Sequence, residues 1–277
     1  MDVSILIINY NTKGLTADCI NSVFEKTLGI EFEVILVDNA STDGSKELFQ
    51  KDQRIKYIYN QENVGFGRAN NIGLKIAKGR NIFFLNSDTY LLNNAIKELS
   101  SYLDNNSDVG ACGGNLFYED LTPNISFVMQ FPSLFGELNS LFHNLPNKML
   151  GKTASTFNSS DKEIDVAYIS GADLMVKKSV LDKVGGFDPD FFMYFEETEL
   201  CYRIKEKSMR LVSVPSSKIV HLTGRSLNET RRKKPSKFYL QSKRIYIYKL
   251  NRNILYKTIY RLVVEMNILI HKLCRKW

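Results

Sequence analysis

Three acidic segments and one histidine carry the residue types that could do chemistry. In Val37-Asp38-Asn39-Ala40-Ser41-Thr42-Asp43-Gly44-Ser45 an acid follows an apolar run and precedes small residues. A carboxylate so placed accepts hydrogen bonds from a bound base or ribose, or else caps a helix or shapes a turn. The apolar stretch Ile82 to Leu85 ends in Asn86-Ser87-Asp88. This triplet is either a turn signal or a cation site. A hard divalent cation on a diphosphate needs few protein oxygens, because phosphate and water complete its shell, and Asp88 suits that task. Between Phe187 and Lys207 a run of aromatic residues leads straight into Glu196, Glu197 and Glu199. Acids in a first helical turn complement the helix dipole. One of them, with its pKa set by burial among the aromatics, could instead be a general base. His221, one of three histidines, follows Ile219-Val220 and precedes Leu222-Thr223-Gly224-Arg225-Ser226, as a structural residue or a metal ligand.

The elements that must position these groups follow from hydrophobic pattern. Val3 to Ile8, Phe32 to Val37, Ile55 to Tyr59 and Ile82 to Leu85 are predicted strands. Leu15 to Phe24, Ser45 to Gln50 and Phe66 to Ala77 are predicted helices. Strands alternating with helices imply an α/β fold with a mostly parallel sheet covered on both faces. Ligands of such sheets gather beyond the carboxyl ends of the strands. Those ends are polar here: Asn9-Tyr10-Asn11-Thr12, Asp38-Asn39 and Asn86-Ser87-Asp88. From about Asn115 to residue 164, Pro123, Pro132, Pro146 and Asn and Ser clusters predict a long irregular region, of the sort that covers or binds something. A second ordered block is expected from Tyr168 to Val220.

Charge divides the chain unevenly. Arg231 to Trp277 holds fourteen Lys and Arg against the single acid Glu265, a charge of +13, leaving −6 on the other 230 residues under a total of +7. Leu255, Ile259, Leu262, Val263, Met266, Leu269, Ile270 and Leu273 recur there at helical spacing, with Lys257, Arg261 and Lys272 between them. This predicts a basic amphipathic helix. Its stripe is expected to dock on an anionic membrane, Tyr246, Tyr248, Tyr256, Tyr260 and Trp277 reaching the headgroup level. Packing onto the preceding domain, or pairing in a homodimer, are the alternatives. Val3 to Ile8 lacks the basic leader of a signal peptide, and no run reaches the ~18–20 apolar residues of a spanning helix. Cys19, Cys112, Cys201 and Cys274 show no metal-ligand spacing and fit a reducing compartment.

Taken in order, SILIINYNT, VDNASTDGS, NVGFGRANNIG, FFLNSD, SGADLMV, VGGFDPDFFMYFEETELCYRI and HLTGRS resemble family-2 glycosyltransferases of the GT-A fold, especially the bacterial rhamnosyltransferase-like branch. The resemblance covers residues 3 to about 226. It implies an inverting, metal-dependent hexosyltransferase of cell-surface polysaccharide synthesis, using a nucleotide-diphosphate sugar. dTDP-rhamnose is favoured, with UDP- or GDP-sugars as alternatives, and the acceptor is a saccharide or lipid-linked saccharide. Asn9, Asn11, Asp38, Asn63, Arg68, Asn71 and Ser87 would hold the nucleotide. Asp88, matching the last acid of the DxD element, and His221 would hold Mg²⁺ or Mn²⁺. Glu197 would be the catalytic base, Gly171 and Ala172 would line the sugar pocket, and Phe192, Tyr194 and Glu196 would seat sugar or acceptor. Three positions depart from the family pattern. Asn86 stands where an acid is common, leaving the metal more to Asp88. Glu197 replaces the commoner Asp, so Glu196 or Glu199 is an alternative base. Asp173 replaces an apolar residue.

The expected organisation is a catalytic domain over 1–230, with a nucleotide-sugar half at 1–114 and an acceptor half at 115–230, and a basic helical tail over 231–277. The expected place is the cytoplasm, peripheral on the inner face of the cell membrane. An oxidoreductase on a similar sheet would need a glycine-rich turn after the first strand, where Asn-Tyr-Asn-Thr stands. A non-catalytic nucleotide- or nucleic-acid-binding protein is the other rival. The aliphatic stripe between the tail's basic residues suits an interface better than a phosphate groove, so no nucleic-acid partner is expected.

Overall fold

The computed structural model describes residues 1–141, 155–222 and 237–274, with side chains to Ile270. The first half is built from β1 (Val3–Asn9), α1 (Lys13–Lys26), β2 (Phe32–Asp38), α2 (Ser45–Phe49), β3 (Ile55–Tyr59), α3 (Phe66–Leu74) and β4 (Asn81–Asn86). Strands β3, β2, β1 and β4 lie side by side and parallel. Their unbroken apolar runs follow from burial on both faces. Side chains alternate, so Val3, Ile5 and Ile7 enter one hydrophobic cluster while Leu6 and Ile8 enter another. The first cluster packs under α1 and α4 (Ala95–Asn105), the second under α3 and the later helices.

The second half is mixed rather than parallel. It adds β5 (Thr89–Leu91), β6 (Val109–Phe117), β7 (Phe127–Val128), α5 (Leu134–Leu141), β8 (Ile164–Asp165), β9 (Tyr168–Ile169), β10 (Asp173–Lys177), α6 (Lys178–Val184), α7 (Glu196–Glu206) and β11 (Arg210–His221). The sheet continues β4-β10-β6-β11-β5, with β10 antiparallel to both neighbours and β8 paired to β11. The expected irregular region from 115 to 164 is thus partly ordered, since β6 continues to Phe117 and α5 forms before residue 142. Helix α3 stops at Leu74, three residues short of the expected Ala77.

Helices α8 (Lys237–Lys249) and α9 (Ile254–Cys274) end the described chain. Their inner face is core. Tyr246, Ile247, Leu250, Tyr260 and Val264 form a hydrophobic cluster with Phe191 and Phe195. Tyr246 and Tyr260 are at most 1% exposed, so neither reaches a headgroup level, which corrects that expectation. Large rings at helical spacing are drawn to an aromatic cluster because it removes far more apolar surface from water than exposure would. Of the expected stripe, Val263 is buried, while Leu255, Ile259, Leu262, Met266, Leu269 and Ile270 are exposed. Arg231 to Ser236 and Trp277 lie outside the described residues.

Candidate active site

The parallel register places Asn9 opposite Asp38 and Ile8 opposite Asn86, so the polar strand ends share one edge. Asn9 is fully buried and donates from Nδ2 to Asp38 Oδ2 at 3.2 Å and Ser41 Oγ at 3.0 Å. Its Oδ1 accepts from the hydroxyls of Thr12 and Thr16, each at 2.9 Å. Asp38 also accepts from the Ser41 N–H at 2.8 Å and the Tyr57 hydroxyl at 3.0 Å. The exposed Asn11 joins through its N–H to Ser41 Oγ, and Ser87 Oγ lies 3.2 Å from Thr12 Oγ1. Asn63 Oδ1 accepts from Asn39 Nδ2 at 2.8 Å. Asn11 and Ala40 hold φ of 55° and 67°, a left-handed conformation unusual for residues with a side chain. Backbone held this way persists only where the surrounding contacts fix it, here the Ser41 and Asp38 hydrogen bonds.

Arg68 and Asn71 are placed differently. Arg68 Nε donates to the Pro189 carbonyl at 2.7 Å, and Asn71 both donates to and accepts from the Phe187 backbone. They tie α3 to the loop before α7. Gly65 completes that joint. Its φ is +89°, and a Cβ there would lie 2.5 Å from the Phe192 carbonyl oxygen, which accepts from the Phe66 N–H.

Asp88 and His221 meet at the same sheet edge although 133 positions separate them in sequence. β11 pairs antiparallel with β5, setting His221 against Thr89, and the Asp88 carbonyl accepts from the Leu222 N–H. The Asp88 Oδ1 to His221 Nε2 distance is 3.3 Å, and Asn86 Nδ2 lies 3.5 Å from the same nitrogen. Two donors bound at right angles to a small octahedral cation, each at about 2.1 Å, would stand roughly 3 Å apart. The pair therefore fits a divalent cation that takes its remaining ligands from phosphate and water. No cluster of three or more His, Cys, Asp or Glu exists among the described residues, so these residues alone do not form a closed cage.

Glu197 stands in the first turn of α7, after Tyr194 and Phe195 with φ of 72° and 70°. Two successive left-handed residues turn the chain so that the helix starts with its acids facing inward. Glu197 lines a pocket of about 370 Å³, and Thr198 Oγ1 donates to its Oε1 at 3.1 Å. Burial raises its pKa. Glu196 is only 5% exposed, and its Oε2 has no hydrogen-bond partner. Burial, then the charge of Glu197, raises its pKa well above the usual range. Adjacent carboxyls do not both ionise cheaply, so each disfavours the charge of the other on top of the cost of burial. Glu199 is committed elsewhere: both of its oxygens accept from Arg203, whose other N–H groups hold the carbonyls of Val184, Gly185 and Gly186.

Residues 4–185 match the family described as Glycosyl transferase family 2. The chain belongs to this family. A curated glycosyltransferase relative, the low-salt glycan biosynthesis hexosyltransferase Agl10 of Haloferax volcanii, is 25% identical over 243 residues, 86% of this chain and 72% of that protein. Among solved structures, GalNAc-T7 with UDP, GalNAc and Mn²⁺ has a TM-score of 0.65 at 16% identity, over 88% of this chain and 48% of that one. The mannosyltransferase PcManGT of Pyrobaculum calidifontis, in complex with GDP-Man and Mn²⁺, has a TM-score of 0.56 at 18% identity, over 94% of this chain and 68% of that one. These two likenesses are of fold, which is of the GT-A type.

In this family-2 glycosyltransferase a short segment links the two sides of the edge. The Ala172 carbonyl accepts from the Asn86 N–H at 3.0 Å, and Gly171 packs against the Glu197 side chain, where an added Cβ would lie 3.5 Å away. Asp173, next in line, is buried and accepts from the Gly114 N–H at 2.6 Å. Burial raises its pKa well above the usual range. Phe192 and Tyr194 face α8, stacking on Phe238 at 4.7 Å and meeting Tyr239 edge-on at 5.9 Å. Sequence reasoning missed Glu137, Tyr168, Tyr239 and Lys243, which line the pocket beside Glu197. For Tyr239 and Lys243 a signal existed, since their i, i+4 spacing puts both on one face of the tail's first helix. Glu137 and Tyr168 come from short elements with no such pattern.

Proposed function

We propose that this chain is an inverting, metal-dependent glycosyltransferase that moves a sugar from a nucleotide-diphosphate donor onto a hydroxyl of a saccharide or lipid-linked saccharide. The observation that carries the reading is the meeting of Asp88 and His221 at 3.3 Å on the carboxyl edge of the sheet. Asp88 and His221 would hold Mg²⁺ or Mn²⁺. When bound, such a cation neutralises charge developing on the leaving diphosphate. The loops carrying Asn9, Asn11, Asp38, Asn63 and Ser87 bind the base and ribose. Arg68 and Asn71 act by fixing α3 over that site, and Gly171 and Ala172 wall the donor sugar. Glu197, ionised beside a protonated Glu196, takes the proton from the acceptor hydroxyl as it attacks the anomeric carbon from the opposite face. One displacement inverts that carbon.

Rhamnose from dTDP-rhamnose is the favoured donor on sequence resemblance, with UDP- and GDP-sugars as alternatives. The proposed setting is the inner face of the cell membrane, in cell-surface polysaccharide synthesis. The outer face of α9 supports attachment there, since it exposes Leu255, Leu262, Met266 and Leu269 with Arg261 beside them. No described helix is long and apolar enough to cross a membrane. The deciding experiment is a thermal-shift and hydrolysis screen of dTDP-rhamnose, UDP- and GDP-sugars with Mn²⁺. A true donor at free concentration c stabilises the folded protein by RT ln(1 + c/Kd), so melting rises with the logarithm of c once that exceeds Kd. If no nucleotide sugar shifts melting or is hydrolysed, the reading falls.

A further inference from the structure

The pocket beside Glu197 is closed on one side by the C-terminal helices. Tyr239 and Lys243 come from α8, and Gly136 and Glu137 come from α5. Lys243 and Glu137 form an ion pair in which the side chains are 14% and 13% exposed. Glu137 is held from behind by α9, because Asn267 Nδ2 donates to its Oε2 and to its backbone carbonyl, each at 3.0 Å. Helix α8 is fastened to the loop before α7 as well. Ser242 Oγ donates to the Met193 carbonyl at 2.8 Å, and Lys249 pairs with Asp188 and Asp190. These contacts fix the wall to the loop before α7 and to α9.

We propose that this wall is the acceptor-binding surface, with Tyr239 as a stacking platform and the Lys243–Glu137 pair reading hydroxyls of an uncharged pyranose. The proposal rests on the transferase reading above and names the substrate class of that same site. Aromatic faces with a few convergent polar groups suit a ring that has an apolar face and a hydroxylated rim. Lys243 supplies donors and Glu137 acceptors to such a rim. A phosphate or carboxylate on the ligand would instead compete for Lys243, leaving Glu137 buried without its cation. The polar content of the pocket thus favours a neutral ring presented to Glu197.

The test is saturation-transfer NMR with methyl glycosides of glucose, galactose, mannose, N-acetylglucosamine and rhamnose, alongside methyl glucuronide, on the full chain. At least one neutral glycoside is expected to receive saturation from wild type, more strongly than the glucuronide does. Tyr239→Ala should weaken its apparent affinity on the order of tenfold, as loss of one aromatic contact implies, while Tyr239→Phe keeps it. Gly136→Leu provides a variant that does not threaten folding. It replaces a pocket-lining glycine in the first turn of α5 where an added Cβ meets only Ser133 Oγ at 3.5 Å, so the larger side chain takes up space at the pocket wall. It should abolish saturation transfer with an unchanged or raised Tm. Absence of any neutral-glycoside signal, preference for the glucuronide, or an unaltered signal in Gly136→Leu overturns the proposal. Failure of the transferase reading shows separately, as wild type neither binding nor hydrolysing any nucleotide sugar.

Discussion

At the scale of single residues, the site divides into groups that reach the ligand space and groups that hold them there. Asp88→Ala should abolish transfer and leave the fold intact, because the β5–β11 ladder and the Leu222 N–H to Asp88 carbonyl bond are backbone contacts that the substitution keeps, although it loses the side-chain contact to His221. EDTA should silence wild type, and Mg²⁺ or Mn²⁺ should restore it; full activity in chelator would sink the metal proposal. Glu197→Gln should lower kcat by ~10²–10⁴-fold while donor binding survives. Because burial raises the Glu197 pKa, the acid limb of kcat/KM should lie above the ~4.3 of an ordinary glutamate. A limb at or below that value would remove Glu197 as the base. Glu196 offers a stability test. Its folded pKa is raised, so its stabilising contribution is complete below the unfolded pKa and is lost as pH rises through the folded one. Glu196→Gln, which cannot ionise, should therefore gain in Tm relative to wild type between pH 5 and pH 8. A difference that stays flat across that range would show that Glu196 is already ionised in the fold.

At the scale of elements, the joint between α3 and the loop before α7 sets the position of both the nucleotide loops and the base. Gly65→Ala would meet the Phe192 carbonyl at 2.5 Å and place a side chain at φ +89°. The expected cost is roughly 1–3 kcal/mol, read as a lowered Tm together with weakened nucleotide binding. A variant with unchanged Tm and binding would show that this joint is dispensable. Sequence pattern made the seven elements from β1 to β4 legible to within a few residues, because a doubly buried strand and an amphipathic helix have different periods. It did not show the mixed second half. Strands such as β7, β8 and β9 span two residues each and carry no period.

At the scale of the molecule, the C-terminal helices serve two surfaces. Their inner face fills the cluster around Phe191 and Phe195, so deleting them would strip the core rather than remove an appendage. The membrane proposal is better tested on the outer face. Leu262→Glu with Met266→Glu should abolish sedimentation with anionic liposomes, and Tm should scarcely move because both positions are more than half exposed. Equal pelleting of variant and wild type, or undiminished wild-type pelleting on neutral lipid, would defeat electrostatic docking.

The sequence by itself determined the parallel half of the sheet and the polar strand ends that must share its carboxyl edge. Period and strand direction suffice for that. It also carried the family, through seven segments in a constant order. Tertiary structure alone decided the rest. It brought His221 across from β11 to Asp88, an encounter that depends on strand order rather than on any local pattern. It also separated Glu197 from Glu199, since both lie in one helical turn and Glu197 lines the pocket while Glu199 pairs with Arg203. In the tail, an amphipathic pattern states that one face is apolar but not what covers it. Tyr246 and Tyr260 went inward because an aromatic cluster was waiting, while Leu262 and Met266 were left facing out.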